Sequence, residues 1–268
     1  MRVLIKNQRK VKKFSTIFKN INEILSNVKL NFTSEKLYAQ GMDLTQSCLF
    51  EINILSDWFD EYTINEDITI GLPCTLMYKL LACLEEKQEI LMYMDNKKDK
   101  LYIEFVNDDK YRKTFELPLL DLDYDMVDIP LTEYACDINI STSEFVKLIN
   151  QLQLFGTNVD INCTSQGIKM QGYGEFGKMK VDIQEKDIIK YAYEEDIDIS
   201  QEYNLTFMDK MCKFEKIAEE MFIYFDDERP MMMIYTLEKI TEEEEVEDMS
   251  QLLERSYLRL ILAPKTND

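Results

Sequence analysis

Histidine occurs nowhere in the 268 residues. Its absence removes Ser-His-Asp and Cys-His nucleophilic schemes and every imidazole metal site. Glycine is scarce, at seven residues, and neither G-x-G-x-x-G nor G-x-x-x-x-G-K-[ST] is present, so no phosphate-cradling loop is expected. Six cysteines (Cys48, Cys74, Cys83, Cys136, Cys163, Cys212) are scattered without a C-x-x-C pair, which points to buried free thiols in a reduced compartment. No apolar run approaches the ~20 residues of a membrane helix. The basic start leads into an amphipathic segment without an apolar secretory core, so a soluble intracellular protein is expected. Enzyme readings start at a disadvantage: no catalytic residue, metal or cofactor is expected.

What the chain has in excess is negative charge, a net −20. That sign argues against nucleic acid until its distribution is considered. Positions 1–22 hold seven basic residues (Arg2, Lys6, Arg9, Lys10, Lys12, Lys13, Lys19) and no acid, while the rest holds 24 basic against 51 acidic residues. A positive patch on a negative body suits a protein that meets a polyanion on one surface and repels it elsewhere.

The pattern along the chain is mixed. Positions 9–25 read as an amphipathic helix with Val11, Phe14, Phe18, Ile21 and Leu25 on one face and Ile17 at its edge; Arg9, Lys12, Thr16, Lys19 and Glu23 fall opposite. Strands are expected at 28–32, 36–41 and 48–55, then a helix over 73–85 with Leu76, Met77, Leu80 and Leu84 inward, then strands at 89–95, 100–106 and 111–117. A turn is expected at 96–99. The second half repeats this order. A strand is expected at 136–140, a helix at 141–155 with Phe145, Leu148, Ile149 and Leu152 inward, and strands at 159–163, 167–172 and 178–183. A helix follows at 205–219 with Phe207, Met211, Phe214 and Ala218 inward, then strands at 221–226, 230–237 and 256–263.

One register relates the halves. At an offset of 131, Val28, Asn31, Thr33, Ser34, Gln40 and Gly41 fall on Val159, Asn162, Thr164, Ser165, Gln171 and Gly172. The same offset lays Phe14 on Phe145, Ile17 on Leu148, Phe18 on Ile149, Ile21 on Leu152, Met77 on Met208 and Lys79 on Lys210, and the strand 90–95 on 221–226. Three separate elements in one register indicate a duplication. Each half has two helices and many antiparallel strands, an α+β plan in which helices cover the sheets. Domains are expected at 1–118 and 136–268, joined by a connector at 119–135.

That connector, LLDLDYDMVDIPLTEYA, carries Asp121, Asp123, Asp125, Asp128 and Glu133 and no basic residue. Its apolar residues follow neither helical nor strand period, and Pro130 blocks a long regular element. The D-x-D-x-D spacing resembles the start of a calcium loop, but Met126 and Thr132 stand where such a loop needs glycine and glutamate.

The segments MDLTQSCLFEI (42–52), LDLDYDMVDIPLTEY (120–134) and LAPK (262–265) resemble the proliferating cell nuclear antigen family, the eukaryotic-type DNA sliding clamps, over nearly the whole chain. The resemblance implies a homotrimer closed head to tail into a ring, with helices lining a hole that encircles duplex DNA without reading its sequence. It implies recruitment of DNA polymerase and other replication or repair clients, and a clamp loader, with no membrane partner. Nuclear residence is implied for a cellular clamp, or a cytoplasmic replication factory for a viral one. The DNA-facing set would be Arg9, Lys12, Lys13, Lys19, Lys79, Lys147, Lys210, Lys213 and Lys216. The subunit contact would pair strand 111–117, with Phe115, against strand 178–183, with Lys178, Met179 and Val181, packed by Leu152 and Phe155. A client-peptide pocket would comprise Met42, Leu49, Val127, Ile129, Pro130, Tyr134, Pro230, Ile261, Ala263, Pro264 and Lys265. Core packing is the better reading for Leu49, and backbone groups at 263–265 offer strand-like addition of a peptide.

The chain departs from the family pattern in places. Ala82, Asn150 and Leu154 stand at channel-facing positions that are usually basic or histidine. Ile261 replaces a common aromatic. An acidic insertion at about 238–254 separates the last two strands, expected as a solvated loop. Pro118 ends the strand before the connector. The competing readings are a subunit of a heteromeric checkpoint-type ring, a non-ring processivity factor and, least favoured, a metal-dependent enzyme.

Overall fold

The computed structural model describes all residues except 96–98, 108–110, 176, 195–196, 198, 242–245, 247 and 266–268. The chain divides into two units. Unit 1 takes in Met1–Leu44, Phe50–Asp128 and Val246–Tyr257, and unit 2 takes in Thr45–Leu49, Ile129–Glu245 and Leu258–Asp268. The division falls inside the connector, between Asp128 and Ile129, not at its two ends.

The first half runs β1 (Arg2–Ile5), α1 (Gln8–Asn20), β2 (Asn27–Phe32), β3 (Lys36–Met42), β4 (Cys48–Leu55), β5 (Glu61–Thr63), β6 (Ile68–Pro73), α2 (Cys74–Leu81), β7 (Glu89–Met94), β8 (Lys100–Val106) and β9 (Lys113–Pro118). The second half runs β10 (Cys136–Ser141), α3 (Thr142–Leu152), β11 (Asn158–Thr164), β12 (Gly167–Gly174), β13 (Gly177–Gln184), β14 (Lys190–Tyr193), β15 (Ile199–Asn204), α4 (Leu205–Cys212), β16 (Glu220–Phe225), β17 (Met231–Thr236), α5 (Met249–Leu253) and β18 (Tyr257–Leu262).

The duplication is visible in the strand orders. In the first half five strands lie in the order β5-β1-β7-β8-β9 and four in the order β4-β3-β2-β6; in the second half the orders are β14-β10-β16-β17-β18 and β13-β12-β11-β15. The offset of 131 holds in the ladders: Lys29 faces Gln40 and Gly71, and Asp160 faces Gln171 and Glu202. In unit 1, α1 packs on β1 and β7 and α2 on β2 and β6; in unit 2, α4 packs on β11 and β15 while α3 reaches β10 and β16 of one sheet and β12 of the other, so each helix pair closes over its core. Phe14, Ile17, Phe18 and Ile21 are buried in unit 1, and Phe145, Ile149 and Leu152 at matching positions in unit 2. Ile17 is therefore central to its face, not at its edge.

The helices are shorter than their apolar periods predict. After Asn20 the chain tightens into a 3-10 turn at Ile21–Glu23, in a stretch where Asn20 and Asn22 are poor helix formers. The third expected helix likewise ends at Leu152 and the fourth at Cys212, the latter followed by a 3-10 turn at Glu215–Ile217. The inward sets shift accordingly: Cys74, Leu81, Val146, Met208 and Cys212 are buried, whereas Leu76, Leu84, Leu148, Phe207 and Ala218 are half-buried. Strands β1, β5, β6, β14 and β15 escape sequence patterning because each is only three to six residues long, too short to show a clear period. Cys83 is exposed, contrary to the expectation of uniformly buried thiols, while the other five cysteines are buried.

The expected turn at 96–99 lies mostly outside the described residues, as does the centre of the acidic insertion. The far end of that insertion is ordered: α5 is capped by Asp248, whose side chain accepts from Gln251 N at 3.3 Å, and it buries Met249 and Leu252. Its membership of unit 1 shows that the insertion is not a plain solvated loop throughout. Among the described residues, no helix is long and apolar enough to cross a membrane.

Candidate functional site

The basic helix α1 begins at Asn7, whose side chain accepts from Arg9 N at 2.9 Å and Lys10 N at 3.4 Å. Asp60 adds a carboxylate just before it, accepting from Lys6 N at 2.6 Å and Asn7 N at 3.2 Å. These acceptors offset the cost of Arg9 and Lys10 in the first turn, where the helix dipole disfavours cations. Arg9 and Lys12 are exposed, and Lys13 and Lys19 half-buried. Lys10 lies over the Trp58 ring at 5.5 Å.

The other expected DNA-facing lysines differ in their surroundings. Lys79, Lys147 and Lys216 are exposed. Lys213 pairs with Asp209 at 2.9 Å, one turn back. Lys210 is half-buried with its ammonium 5.1 Å from the Phe207 ring centre. Ala82, Asn150 and Leu154 are all exposed, Leu154 at 75%.

The connector is held to unit 1 along one row of outward-facing residues. Strand pairing aligns Gln40 of β3, Lys29 of β2 and Gly71 of β6 across the sheet. Leu120 N donates to Gly71 O at 2.8 Å. A Cβ at Gly71 would sit 2.4 Å from Leu120 O, so only glycine allows this crossing. Lys29 N donates to Tyr124 Oη at 2.9 Å, Lys29 Nζ donates to Tyr124 O at 2.7 Å, and the ammonium lies 4.5 Å from the Tyr124 ring centre. Burial raises the Tyr124 pKa, and the bond from Lys29 N opposes that rise. Gln40 closes the row: its Oε1 accepts from Val127 N at 2.6 Å and its Nε2 donates to Val127 O at 2.9 Å. Three strands span about 9.6 Å between their outer axes, whereas seven extended residues reach about 23 Å. The connector therefore crosses in an irregular path, which is why its apolar residues show no period.

Of the expected client-pocket residues, Met42 and Val127 belong to unit 1 and are exposed at 39% and 47%. In unit 2, Pro130 and Pro230 are exposed, Ile129, Tyr134, Ile261, Ala263 and Pro264 half-buried, and Lys265 exposed. Leu49 is 6% exposed, so it is packing rather than surface. Tyr134 Oη donates to Pro230 O at 3.3 Å, and Arg229 Nη1 donates to Glu133 O at 2.6 Å and Asp226 Oδ2 at 2.9 Å. Burial raises the Tyr134 pKa, with Arg229 opposing. Ala263 N already donates to Ser47 O at 2.9 Å and Lys265 N to Glu202 O at 2.7 Å, while Pro264 has no N–H. The expectation that 263–265 adds a peptide strand is corrected on its donor side, because those donors are occupied.

Strands β9 and β13 are each at the edge of their strand order. Phe115, Met179 and Val181 are half-buried along them and Lys178 is exposed. Leu152, expected at a subunit contact, is fully buried on the core stripe of α3, and a Cβ at Gly172 would meet its side chain at 3.3 Å. Phe155 is half-buried beside Gly177 at the β12–β13 turn. The missed residues Gln40, Lys29, Gly71 and Tyr124 gain their roles only from cross-strand alignment, which spacing in the sequence does not reveal.

Two family models cover most of the chain: "Proliferating cell nuclear antigen, N-terminal domain" matches residues 6–127 and "Proliferating cell nuclear antigen, C-terminal domain" matches 128–244. The chain is 25% identical over 249 residues to proliferating cell nuclear antigen 2 of Drosophila melanogaster, covering 92% of each. It is 24% identical over 254 residues to proliferating cell nuclear antigen of Chaetomium thermophilum, again covering 92% of each.

Proposed function

The chain belongs to the proliferating cell nuclear antigen family of DNA sliding clamps, and from that premise we propose that it closes as a homotrimeric ring around duplex DNA and tethers replication and repair proteins to it. The observation that carries this reading is the duplicated plan with an edge strand at each end of the repeat, β9 in one unit and β13 in the other. A head-to-tail contact between such edges is heterologous and self-propagating, and it closes when the rotation per subunit divides the circle. Pairing also consumes edges that otherwise invite aggregation. Phe115, Met179 and Val181 supply apolar contact there, with half-buried Phe155 just after α3 beside Gly177 at the start of β13.

In this reading the basic residues of the helices touch phosphates without reading bases, a weak contact with Kd of roughly 10⁻⁴–10⁻⁶ M. Weakness suits sliding, since topology rather than affinity prevents loss. Three copies would carry about −60 in net charge, three times the −20 of one chain, which keeps DNA from the outer surface. Recruitment would use the exposed apolar residues of the connector, Val127 in unit 1 and Pro130 in unit 2, as landing points for client peptides. The work is non-enzymatic, aided by a clamp loader and carried out in the nucleus. The factory alternative has no support, as both relatives above come from cellular organisms.

Mass measurement in solution is the test. A species of three times 31.8 kDa is expected. A persistent monomer across micromolar concentrations would remove the homotrimer.

A further inference from the structure

We propose that Gln40 is a positioning residue for client binding, and that a buried relay from Glu51 through Tyr38 sets the direction in which it holds the connector. The inference rests on the client-docking reading above and assigns roles to three residues that do not themselves line the expected pocket.

Gln40 lies on the outward side of β3, at the same face as Tyr38, yet it is only 2% exposed. What covers it is the connector. Its carboxamide makes a two-way pair with the backbone of Val127, accepting from N and donating to O. This is the pattern a neighbouring strand would offer, supplied by a single side chain. One residue of the connector is thereby fixed in both translation and rotation, and the direction of the Val127 side chain follows from it.

A carboxamide can flip, and a flipped Gln40 would oppose donor to donor and acceptor to acceptor. The relay prevents that. Glu51 is buried, and its carboxylate accepts from Tyr38 Oη at 2.7 Å and from Tyr257 Oη at 3.3 Å. A carboxylate only accepts, so the Tyr38 hydroxyl proton is committed to it and the hydroxyl oxygen is left to accept. Gln40 Nε2 donates to that oxygen at 3.2 Å. The amide nitrogen therefore faces Tyr38 and Val127 O, and Oε1 faces Val127 N. A buried charge in the sheet thus sets the polarity of a grip on an exposed segment.

The grip sits where it matters for a visiting peptide. Val127 and its neighbour Met126 are exposed at 47% and 38%, apolar surface at the end of the connector that Gln40 holds. Leu120 and Tyr124 are anchored separately at Gly71 and Lys29. Loss of Gln40 therefore frees the last span of the strap while leaving the rest in place. A loosened Val127 must be ordered again at each binding event, and that ordering cost weakens affinity.

The test uses the full-length assembled protein and a fluorescein-labelled synthetic peptide carrying one aliphatic and two aromatic plug residues, read by anisotropy. Gln40→Met keeps the length of the side chain and removes both bonds; about tenfold weaker binding is expected, or ~1.4 kcal/mol. Tyr38→Phe leaves Gln40 intact but frees it to flip, and a smaller loss of roughly threefold is expected. Hydrogen exchange on the same samples should quicken at the Val127 amide and stay slow through β2 and β3. Unchanged affinity in Gln40→Met, or faster exchange throughout β2 and β3, would overturn the proposal. Failure of the wild-type protein to bind the peptide would instead remove the client-docking reading, and this inference with it.

Discussion

In unit 1 the outward row Gln40–Lys29–Gly71 lies under the connector, whereas in unit 2 the described residues meet the matching row Gln171–Asp160–Glu202 at Glu202, through Lys265. The matched hydrogen bonds are alike: Leu120 N reaches Gly71 O at 2.8 Å, and Lys265 N reaches Glu202 O at 2.7 Å. Beyond them the rows diverge. Lys29 grips Tyr124, while Asp160 carries a pKa raised by burial and by the neighbouring Glu202 charge. The helices diverge in the same sense. Helix α1 has no acid in its first turn and carries Arg9, Lys12, Lys13 and Lys19, whereas α3 has Glu144 in its first turn and only Lys147 as a base. The inward residues match in type because the core constrains them, whereas the outward ones match only in part: Gln40 recurs as Gln171, but Lys29 and Gly71 give way to Asp160 and Glu202. Basic helix charge and the strap are therefore both concentrated on unit 1.

Neutralising four of the five α1 cations, all but Lys10 over the Trp58 ring, sharpens this asymmetry most. Arg9→Gln, Lys12→Gln, Lys13→Gln and Lys19→Gln together should weaken binding to linear duplex by more than about tenfold near 0.1 M salt. The dependence of log affinity on log salt should flatten by roughly 0.9 for each phosphate that is no longer neutralised. Lys147→Gln should change either quantity by less than about twofold on the same scale. Titration of labelled duplex at several salt concentrations checks both. Equal losses from the two helices would show that the charge imbalance does not carry DNA binding. Folding is not at risk, because these side chains lie outside the core.

The strap offers the next largest effect. Gly71→Ala places a Cβ 2.4 Å from Leu120 O and 2.7 Å from Leu122 Cγ. The first of these atoms is backbone, so the connector must lift or the strand must bend, at a cost of about 1–3 kcal/mol. Urea unfolding should show stability falling by that amount, together with faster hydrogen exchange at Leu120. Glu202 stands at the matched position in unit 2 and already carries a side chain, so Glu202→Ala should cost less than about 1 kcal/mol. A neutral Gly71→Ala would mean that the connector does not rest on β6.

Much of this architecture is legible in one dimension. The offset of 131 rests partly on buried residues, as Phe14 falls on Phe145 and the strand 90–95 on 221–226, and partly on polar strand and turn residues such as Asn31, Thr33 and Ser34. The connector is legible as a connector because Pro130 and its aspartates forbid regular structure. Its attachment is not, since Gln40, Lys29 and Gly71 are 11 and 42 residues apart in sequence and align only through strand pairing. Leu152 misleads in the opposite way: its place in the apolar stripe is plain from the spacing, but a residue at the centre of that stripe cannot also serve an outside contact. The basic face of α1 and the outward place of Lys147 on α3 follow from helical spacing, whereas the pairing of Lys213 with Asp209 and the packing of Lys210 on Phe207 require side-chain positions.

The smallest expected effect tests the other end of the comparison. Lys265 Nζ lies 3.2 Å from Glu202 Oε1, with the lysine side chain 43% exposed and the glutamate 19%. An ion pair this open to water is worth about 0.2–1 kcal/mol and weakens as salt screens it. Lys265→Ala removes the ammonium but keeps the backbone bond from Lys265 N to Glu202 O, which Leu120 and Gly71 reproduce in unit 1 with no side-chain help. Stability should therefore fall by no more than about 0.5 kcal/mol in low salt, and the difference from wild type should vanish near 1 M salt. A loss well above about 1 kcal/mol that persists in high salt would place the hold of the tail in the lysine side chain. The two attachments would then be unlike in kind, and the shared backbone bond would no longer be what the duplication preserved.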